Sequence, residues 1–296
     1  MTADATLPRH TGEASPALEA RDVRLRYGRR GPAALDHVSM TVPRGSITAV
    51  VGPNGAGKSS LMRSFVGFER PQHGALFVSG YDIANQRTEA LACAGYLAQD
   101  SQLYRGLTVA RHIDLVEGLR ATFDREDAIV TLERMRIPLR VRAGNLSGGQ
   151  QVLAALALVL ATRAPVLILD EPLGALDVLA RREFLALLVA EVRQRRTSVL
   201  MASHVIADMA STCDRVVAIA GGRVVLELGT AEALATHRLV AGTAIGPSSV
   251  GSFLGLDGAT VTLVRSGDHT LPPPDLEALV AGYLASSRAA SRAPAA

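Results

Sequence analysis

The chain contains 296 residues, carries a formal net charge of +3 at pH 7 and is 48% hydrophobic. This composition is ordinary for a globular α/β protein, and the dispersed arginines lack the concentrated basic face that nucleic-acid binding requires. The two cysteines, Cys93 and Cys213, have neither metal-site spacing nor a disulfide framework, which suits a reducing cytosol. The longest apolar run, 152–161, is about half of a membrane span, so we expect a soluble chain that reaches any membrane through a partner.

The N-terminal part of the sequence predicts β-structure after a disordered segment over residues 1–17. The alternating pattern of "LEARDVRLRY" (18–27) and the segment "VSMTV" (38–42) predict strands on either side of a "GRRGPA" turn. The short apolar run "SITAVVG" (46–52) predicts a buried strand that ends in a glycine-rich loop, and a helix is expected to begin at Lys58.

The middle of the chain alternates between strand and helix patterns. Two strands are predicted at "ALFVSG" and "AGYLAQD", and residues 108–162 are predicted to be mostly helical. Further strands are predicted at 165–170, 197–203 and 215–220, separated by helices at 178–194 and 205–211. This alternation predicts an α/β fold with a parallel sheet covered on both faces, into which a helical subdomain of about residues 100–162 is inserted.

The composition changes after about residue 240. The last part, 240–296, predicts a small C-terminal extension with a hairpin, a proline stop and a short amphipathic helix, followed by a disordered tail rich in Ala, Arg and Ser. The main domain is therefore expected to span residues 18–239.

The segment "GPNGAGKS" (52–59) has the spacing of a phosphate-binding P-loop, and it follows a predicted strand and opens a predicted helix. Backbone N–H groups of such a loop bind phosphate oxygens, the lysine reaches the β- and γ-phosphates, and the serine hydroxyl binds Mg²⁺. Lys58 is also the only lysine in the chain, although arginine is abundant. A compact ammonium fits a tight phosphate loop better than a planar guanidinium does.

The segment "PVLILDEP" (165–172) predicts a central strand with two carboxylates at its carboxyl end, where α/β proteins bind ligands. Asp170 is suited to hold Mg²⁺ directly or through water, and Glu171 is suited to take the proton of an attacking water. An ordinary acidic turn is the alternative, but the accompanying P-loop favours a nucleotide site.

With "LSGGQ" (146–150) about twenty residues before "LILDEP", the chain resembles the ATP-binding cassette (ABC) family of transport ATPases over roughly residues 20–235. Further segments match the family's motifs in its order. Gln99 in "YLAQD" matches the Q-loop, Asp177 in "GALD" the D-loop and His204 in "MASH" the switch histidine, while Tyr27 in "LRYG" matches the aromatic residue that stacks on adenine.

The resemblance implies an α/β P-loop NTPase core with a mainly parallel sheet, an N-terminal antiparallel β part and an inserted helical subdomain. It implies ATP and Mg²⁺ as ligands, with Lys58, Gln99, Glu171 and His204 as catalytic residues and Ser59, Gln99 and Asp170 at the metal. The residues implied at the nucleotide are Tyr27, Gly52, Pro53, Asn54, Gly55, Ala56, Gly57, Lys58, Ser59 and Ser60.

The resemblance also implies partners. Two copies are expected to pack head to tail, so that Ser147, Gly148, Gly149 and Gln150 of one chain face the γ-phosphate bound by the other. Integral membrane permease subunits are expected to hold the dimer on the cytoplasmic, inner face of the cell membrane.

Two positions depart from the family's common pattern. The family's signature segment, "LSGGQ" (146–150), is followed here by the apolar segment "QVLAALALVL", where relatives carry arginines. Arg111 stands where many relatives have a glutamate near the membrane partner. The short C-terminal extension and the segment "QDSQLYRGLTV" most resemble bacterial exporter ATPases of the ABC-2 type, so an exporter is expected rather than an importer ATPase. A soluble ABC ATPase acting as a cytosolic assembly factor is the remaining alternative.

Overall fold

The computed structural model describes residues 15–28, 31–99, 103–203, 206–255 and 257–292. The strands are β1 Leu18–Arg26, β2 Ala33–Val42, β3 Ile47–Val51, β4 His73–Val78, β5 Tyr81–Asp82, β6 Ala94–Leu97, β7 Val166–Asp170, β8 Ser198–Ala202, β9 Arg215–Ala220, β10 Arg223–Gly229, β11 His237–Ala241, β12 Ser249–Leu254 and β13 Thr260–Arg265. The helices are α1 Lys58–Phe65, α2 Arg87–Ala92, α3 Val109–Leu119, α4 Arg125–Arg134, α5 Gly148–Ala161, α6 Val178–Arg195, α7 Ile206–Met209, α8 Thr230–Thr236 and α9 Leu276–Arg292, with a 3₁₀ turn at Ala143–Asn145.

A six-stranded sheet in the order β10-β9-β3-β8-β7-β6 forms the centre of the molecule. Neighbouring strands from β6 to β9 are parallel, and only the edge strand β10 is antiparallel to its neighbour. Every residue of β3, β7 and β8 is buried, as expected for parallel strands covered on both faces. The loops after β3 and β7 therefore leave the same edge of the sheet, which is where both phosphate-site motifs lie.

The N-terminal strands form a separate antiparallel sheet in the order β2-β1-β4-β5. Its first strand begins at Leu18, as predicted, but paired backbone extends one residue further toward the N-terminus. Ala17 is fully buried, its amide donates to the Val42 carbonyl, and its carbonyl accepts from the Ser79 amide. Residue 17 is thus ordered by pairing on both sides, and the predicted disordered segment 1–17 was too long at its C-terminal end.

The inserted helices α3, α4 and α5 pack on one another, and α5 also packs on β6 of the central sheet, in agreement with the predicted helical block. Helix α5 carries the apolar segment after the signature, and eight of its fourteen residues are buried. Its position among α3, α4, α6 and β6 explains why this segment is apolar. No helix of the described residues is both long and apolar enough to cross a bilayer.

The C-terminal part differs from the predicted hairpin and short helix. Strands β11, β13 and β12 form a three-stranded antiparallel sheet, and the boundary predicted at 239/240 divides β11. Helix α9 continues through Arg292, into the segment predicted to be a disordered tail. The helix is stabilised because its buried residues Leu279 and Val280 join the same hydrophobic core as Val216 of the central sheet.

Candidate nucleotide-binding site

The loop between β3 and α1 has the backbone conformation of a phosphate cradle. Gly52, Gly55 and Gly57 have φ angles of 153°, 77° and 110°, which side-chain-bearing residues rarely adopt. A Cβ atom on Gly52 would collide with the Ile219 carbonyl oxygen, and one on Gly57 would collide with the Ala34 carbonyl oxygen. Gly52 and Gly57 are therefore required for the loop to lie against its neighbours, and not only for a turn.

The Lys58 side chain is folded back over this loop. Its Nζ atom donates to the carbonyl oxygens of Gly52 at 2.8 Å and Pro53 at 3.3 Å, and lies 3.6 Å from Oε1 of Glu171. The lysine is 6% exposed, so its charge acts in a partly desolvated place where ion pairing is stronger than in bulk water. An ammonium held at this point can serve a phosphate that enters the loop.

Asp170 and Ser59 form the candidate metal site. Ser59 Oγ donates to Asp170 Oδ1 at 3.0 Å, and Asp170 Oδ2 is buried without a hydrogen-bond partner among the described residues. Burial raises the pKa of the Asp170 carboxyl, and the Ser59 hydrogen bond only partly offsets that effect. A buried carboxylate with an unsatisfied oxygen beside a serine hydroxyl is a donor set that suits Mg²⁺. Gln99, the third predicted metal residue, lines the same cleft.

Glu171 follows Asp170 at the strand's carboxyl end in an unusual conformation. Its φ angle is 51°, in the left-handed region, and its amide donates to the Ala202 carbonyl at 3.2 Å. Such a conformation costs a non-glycine residue roughly 1–3 kcal/mol and is found mainly at functional sites. It directs Glu171 into the cleft that holds the P-loop.

The P-loop opens into a cleft of about 770 Å³, large enough for a nucleotide. Tyr27 borders it with a half-exposed ring, and its hydroxyl donates to Ser60 Oγ at 3.2 Å. The segment 31–34 also lines the cleft, although residues 31–33 were predicted only as part of a turn and Ala34 was not singled out. Its closeness in sequence to Tyr27 was the available signal. The described residues that line the cleft are Tyr27, Gly31, Pro32, Ala33, Ala34, Asn54, Gly55, Ala56, Gly57, Lys58, Ser59, Ser60, Gln99 and Glu171.

The signature segment is not among the residues that line this cleft. Ser147 is the N-cap of α5: its hydroxyl accepts from the Gln150 amide at 3.2 Å, and Gln150 Oε1 accepts from the Ser147 amide at 3.0 Å. This reciprocal capping box stabilises the helix start and keeps the exposed Gly148 at its N-terminus. The cap satisfies the amides of Ser147 and Gln150. The amides of Gly148 and Gly149, between them, remain available to an anion.

The D-loop residue Asp177 also caps a helix. Its exposed side chain accepts from the Ala180 amide at 2.8 Å at the start of α6. His204 lies outside the described residues, so its predicted position at the γ-phosphate stays a prediction. The structure thus brings Tyr27, the P-loop, Gln99 and Glu171 to one cleft and places the signature and D-loop at separate helix starts.

Comparison with known proteins identifies the family. A model of the ABC transporter family matches residues 35–174. The chain is 34% identical over 230 residues to the thiamine import ATP-binding protein ThiQ of Shigella flexneri serotype 5b, which covers 74% of this chain and 92% of that protein. It is 36% identical over 225 residues to the aliphatic sulfonates import ATP-binding protein SsuB of Burkholderia ambifaria, covering 74% of this chain and 66% of that one.

A solved structure of a bacterial Atm1-family ABC exporter with ATP bound is similar with a TM-score of 0.65 and 27% identity, and the match covers 75% of this chain and 40% of the exporter. The two curated relatives named above are import proteins, so the export function predicted from the sequence is not supported by them. The chain belongs to the ABC transporter family and is an ATP-binding subunit that hydrolyses ATP with Mg²⁺.

Proposed function

We propose that this chain is the ATPase of an importer, and that the cleft between Tyr27 and Glu171 is half of its ATP site. The observation that carries the proposal is that Tyr27, Lys58, Ser59 and Glu171 line one cleft, and that Ser59 also donates to the buried Asp170 carboxylate. A triphosphate placed on the P-loop extends toward an aromatic ring that can stack on a base.

Each residue of the cleft has a distinct task in this proposal. The amides of residues 54–59 and Lys58 bind the phosphates, and Tyr27 binds the base. Ser59, Asp170 and Gln99 hold Mg²⁺, which neutralises phosphate charge when it is bound. Glu171 accepts a proton from the attacking water, and His204 and Lys58 stabilise the γ-phosphate as charge builds on its oxygens.

The site is completed by a second copy of the chain. The capped N-terminus of α5 is exposed, lies outside the chain's own cleft and presents the Gly148 and Gly149 amides. We place it against the γ-phosphate of the partner subunit, where it acts as an electrostatic clamp rather than as an acid or base.

A mixed dimer of Lys58→Ala and Ser147→Arg chains tests this arrangement. The Lys58→Ala chain still gives an intact signature to the P-loop of the Ser147→Arg chain, so one composite site is whole and the other carries both defects. We expect each homodimer to be nearly inactive and the mixed dimer to reach up to roughly half of the wild-type ATPase rate if the sites act independently. The rate is measured on heterodimers purified with two different tags.

A mixed dimer no more active than either homodimer contradicts a signature that acts in trans. A dimer of two Lys58→Ala, Ser147→Arg double-mutant chains is the negative control, since both chains carry both defects and no composite site is whole. Activity in that control would show contaminating ATPase.

The proposed direction of transport is supported by the ThiQ and SsuB relatives named above, both of which are import proteins. We propose that the dimer binds separately encoded permease subunits and lies on the inner face of the cell membrane. Proteoliposomes with the ATPase subunits facing outward test the direction, with thiamine and an aliphatic sulfonate as the first solutes. Importer activity moves solute out of the lumen when ATP is added outside, whereas accumulation in the lumen contradicts import.

A further inference from the structure

A second cleft, of about 440 Å³, lies where the edge strand β10 meets the C-terminal sheet and helix α9. Its apolar lining residues are Val225 of β10, Pro247 and Val250. The rest of the lining is rich in donors, and none of its described residues is acidic. The polar residues that line it are Ser248, Ser249, Arg265, Tyr283, Ser286 and Ser287.

Arg265 supplies the positive charge of this cleft. It forms no ion pair with a carboxylate among the described residues, and its one side-chain hydrogen bond goes from Nη2 to the Tyr283 hydroxyl at 3.0 Å. By contrast, two arginines of the strands β9 and β10 form ion pairs, Arg215 with Glu227 and Arg223 with Asp36. Arg265 therefore has guanidinium donors that no carboxylate of the described chain uses.

The orientation of Arg265 is fixed by a chain of hydrogen bonds whose directions can be assigned. His237 Nδ1 lies 2.8 Å from the Ala233 carbonyl oxygen, which can only accept, so Nδ1 carries a proton. Burial lowers the pKa of His237, so the ring is neutral and Nε2 accepts from the Tyr283 hydroxyl at 3.0 Å. The Tyr283 oxygen must then accept from Arg265, as observed.

This chain is rigid because its inner members are buried. His237 is 1% exposed and Tyr283 is 7% exposed, and the two rings lie 5.7 Å apart. Arg265 is in addition the cross-strand partner of His237 in the β11–β13 pair. One edge of the guanidinium is thus held in place, whereas the residue as a whole remains exposed at the cleft.

We propose that this cleft binds the anionic group, phosphate or carboxylate, of a small molecule. Arg265 provides charge-assisted hydrogen bonds in a fixed fork, and the hydroxyls of Ser248 and Ser286 provide further donors, whereas the Ser249 hydroxyl donates to the Ala244 carbonyl at 2.9 Å. Tyr283 is a positioning residue that acts through Arg265. A molecule bound here contacts both the C-terminal strands and β10, which pairs with β9 of the ATPase sheet.

Isothermal titration calorimetry of the full-length, nucleotide-free chain with orthophosphate and with citrate tests the proposal. We expect one or both probes to bind, with Kd raised about tenfold or more by Arg265→Gln, the loss expected for a charge-assisted pair. Ser248→Asp leaves Arg265 intact and adds a competing carboxylate at an exposed position, so it should weaken binding similarly. Tyr283→Phe keeps the ring and should have a smaller effect, roughly threefold.

Arg288→Gln is the matched control, because it removes the same charge from an exposed position on α9 outside the cleft. The P-loop also binds phosphate, but it is unchanged in all these variants, so only the difference between variants reports on the cleft. If Arg265→Gln changes only the Kd for citrate, the ligand is a carboxylate. If it changes only the Kd for orthophosphate, the ligand is a phosphate. Equal Kd values for wild type, Arg265→Gln and Ser248→Asp with both probes overturn the proposal, as does the absence of binding by wild type.

Discussion

The ammonium of Lys58 lies 3.6 Å from the carboxylate of Glu171, although 113 positions separate the two residues in the chain. Both side chains are at most 10% exposed. The P-loop cation and the proposed water-activating base therefore interact before any phosphate arrives. We expect an entering γ-phosphate to compete with Glu171 for Lys58, which would couple phosphate binding to release of the carboxylate.

Lys58→Ala should weaken ATP binding by about tenfold or more, because the loop loses a charge-assisted hydrogen bond to phosphate. Lys58→Arg should also fail, since a planar guanidinium cannot follow the path of Nζ between the carbonyl oxygens of Gly52 and Pro53. Fluorescent-nucleotide titration and the steady-state ATPase rate check both variants. Near-normal turnover by Lys58→Arg would show that the loop has room for the larger group.

Glu171→Gln should bind Mg-ATP but hydrolyse it about 100-fold more slowly or worse, because an amide of the same shape cannot take up a proton. Because ATP is expected to bind the closed dimer preferentially and is hydrolysed slowly, the closed dimer should then accumulate by mass action. Gel filtration with and without Mg-ATP measures the shift. A variant that stays monomeric at every ATP concentration argues against the assigned role, and Glu183→Gln on the exposed part of α6 serves as the control.

Asp170→Asn should separate stability from function. The carboxylate is fully buried and one oxygen has no partner among the described residues, so neutralising it removes a desolvation cost in the nucleotide-free protein. We expect the unfolding midpoint without nucleotide to rise by roughly 2–4 °C, equivalent to about 1 kcal/mol. The additional stabilisation by Mg-ATP should disappear. A fall in the nucleotide-free midpoint contradicts the proposed cost.

Gly57→Ala and Gly55→Ala form a matched pair that tests the cradle. Both glycines have positive φ angles, so both substitutions carry backbone strain. A Cβ atom at Gly57 would collide with the Ala34 carbonyl, whereas one at Gly55 has no heavy atom within 4 Å. We expect Gly57→Ala to lose ATP binding and about 1–3 kcal/mol of stability, and Gly55→Ala to lose clearly less of both. Urea unfolding and nucleotide titration measure both losses. If the two variants lose equal stability and equal ATP affinity, backbone strain alone explains them and the collision at Gly57 has no effect.

Tyr27→Ala should raise the Kd for ATP by about tenfold, the usual order for loss of one stacked base, whereas Tyr27→Phe should bind nearly as wild type. The phenylalanine variant loses only the 3.2 Å hydrogen bond to Ser60. Competition between ATP and free triphosphate measures the part of the binding free energy that is due to the base. If Tyr27→Ala binds both with unchanged affinity, the ring does not contact adenine.

The sequence by itself determined the phosphate site and the fold class, because these depend on local patterns. The glycine spacing before Lys58, the apolar strand that ends at Asp170 and the capping sequence at Ser147 each act within a few residues, so a reader of the sequence can place them. The strand–helix alternation then predicts the parallel sheet, and the parallel strands bring their carboxyl ends to one edge.

Only the tertiary structure decided the features that join distant segments. The collision that makes Gly52 necessary involves Ile219, the hydrogen bond of Ser59 reaches Asp170, and the buried chain of the C-terminal cleft links Arg265 to His237 through Tyr283. The C-terminal helix α9 is likewise stabilised because Val280 packs in the central hydrophobic core. No local pattern encodes such contacts, because desolvation and packing arise only when segments far apart in sequence exclude water together.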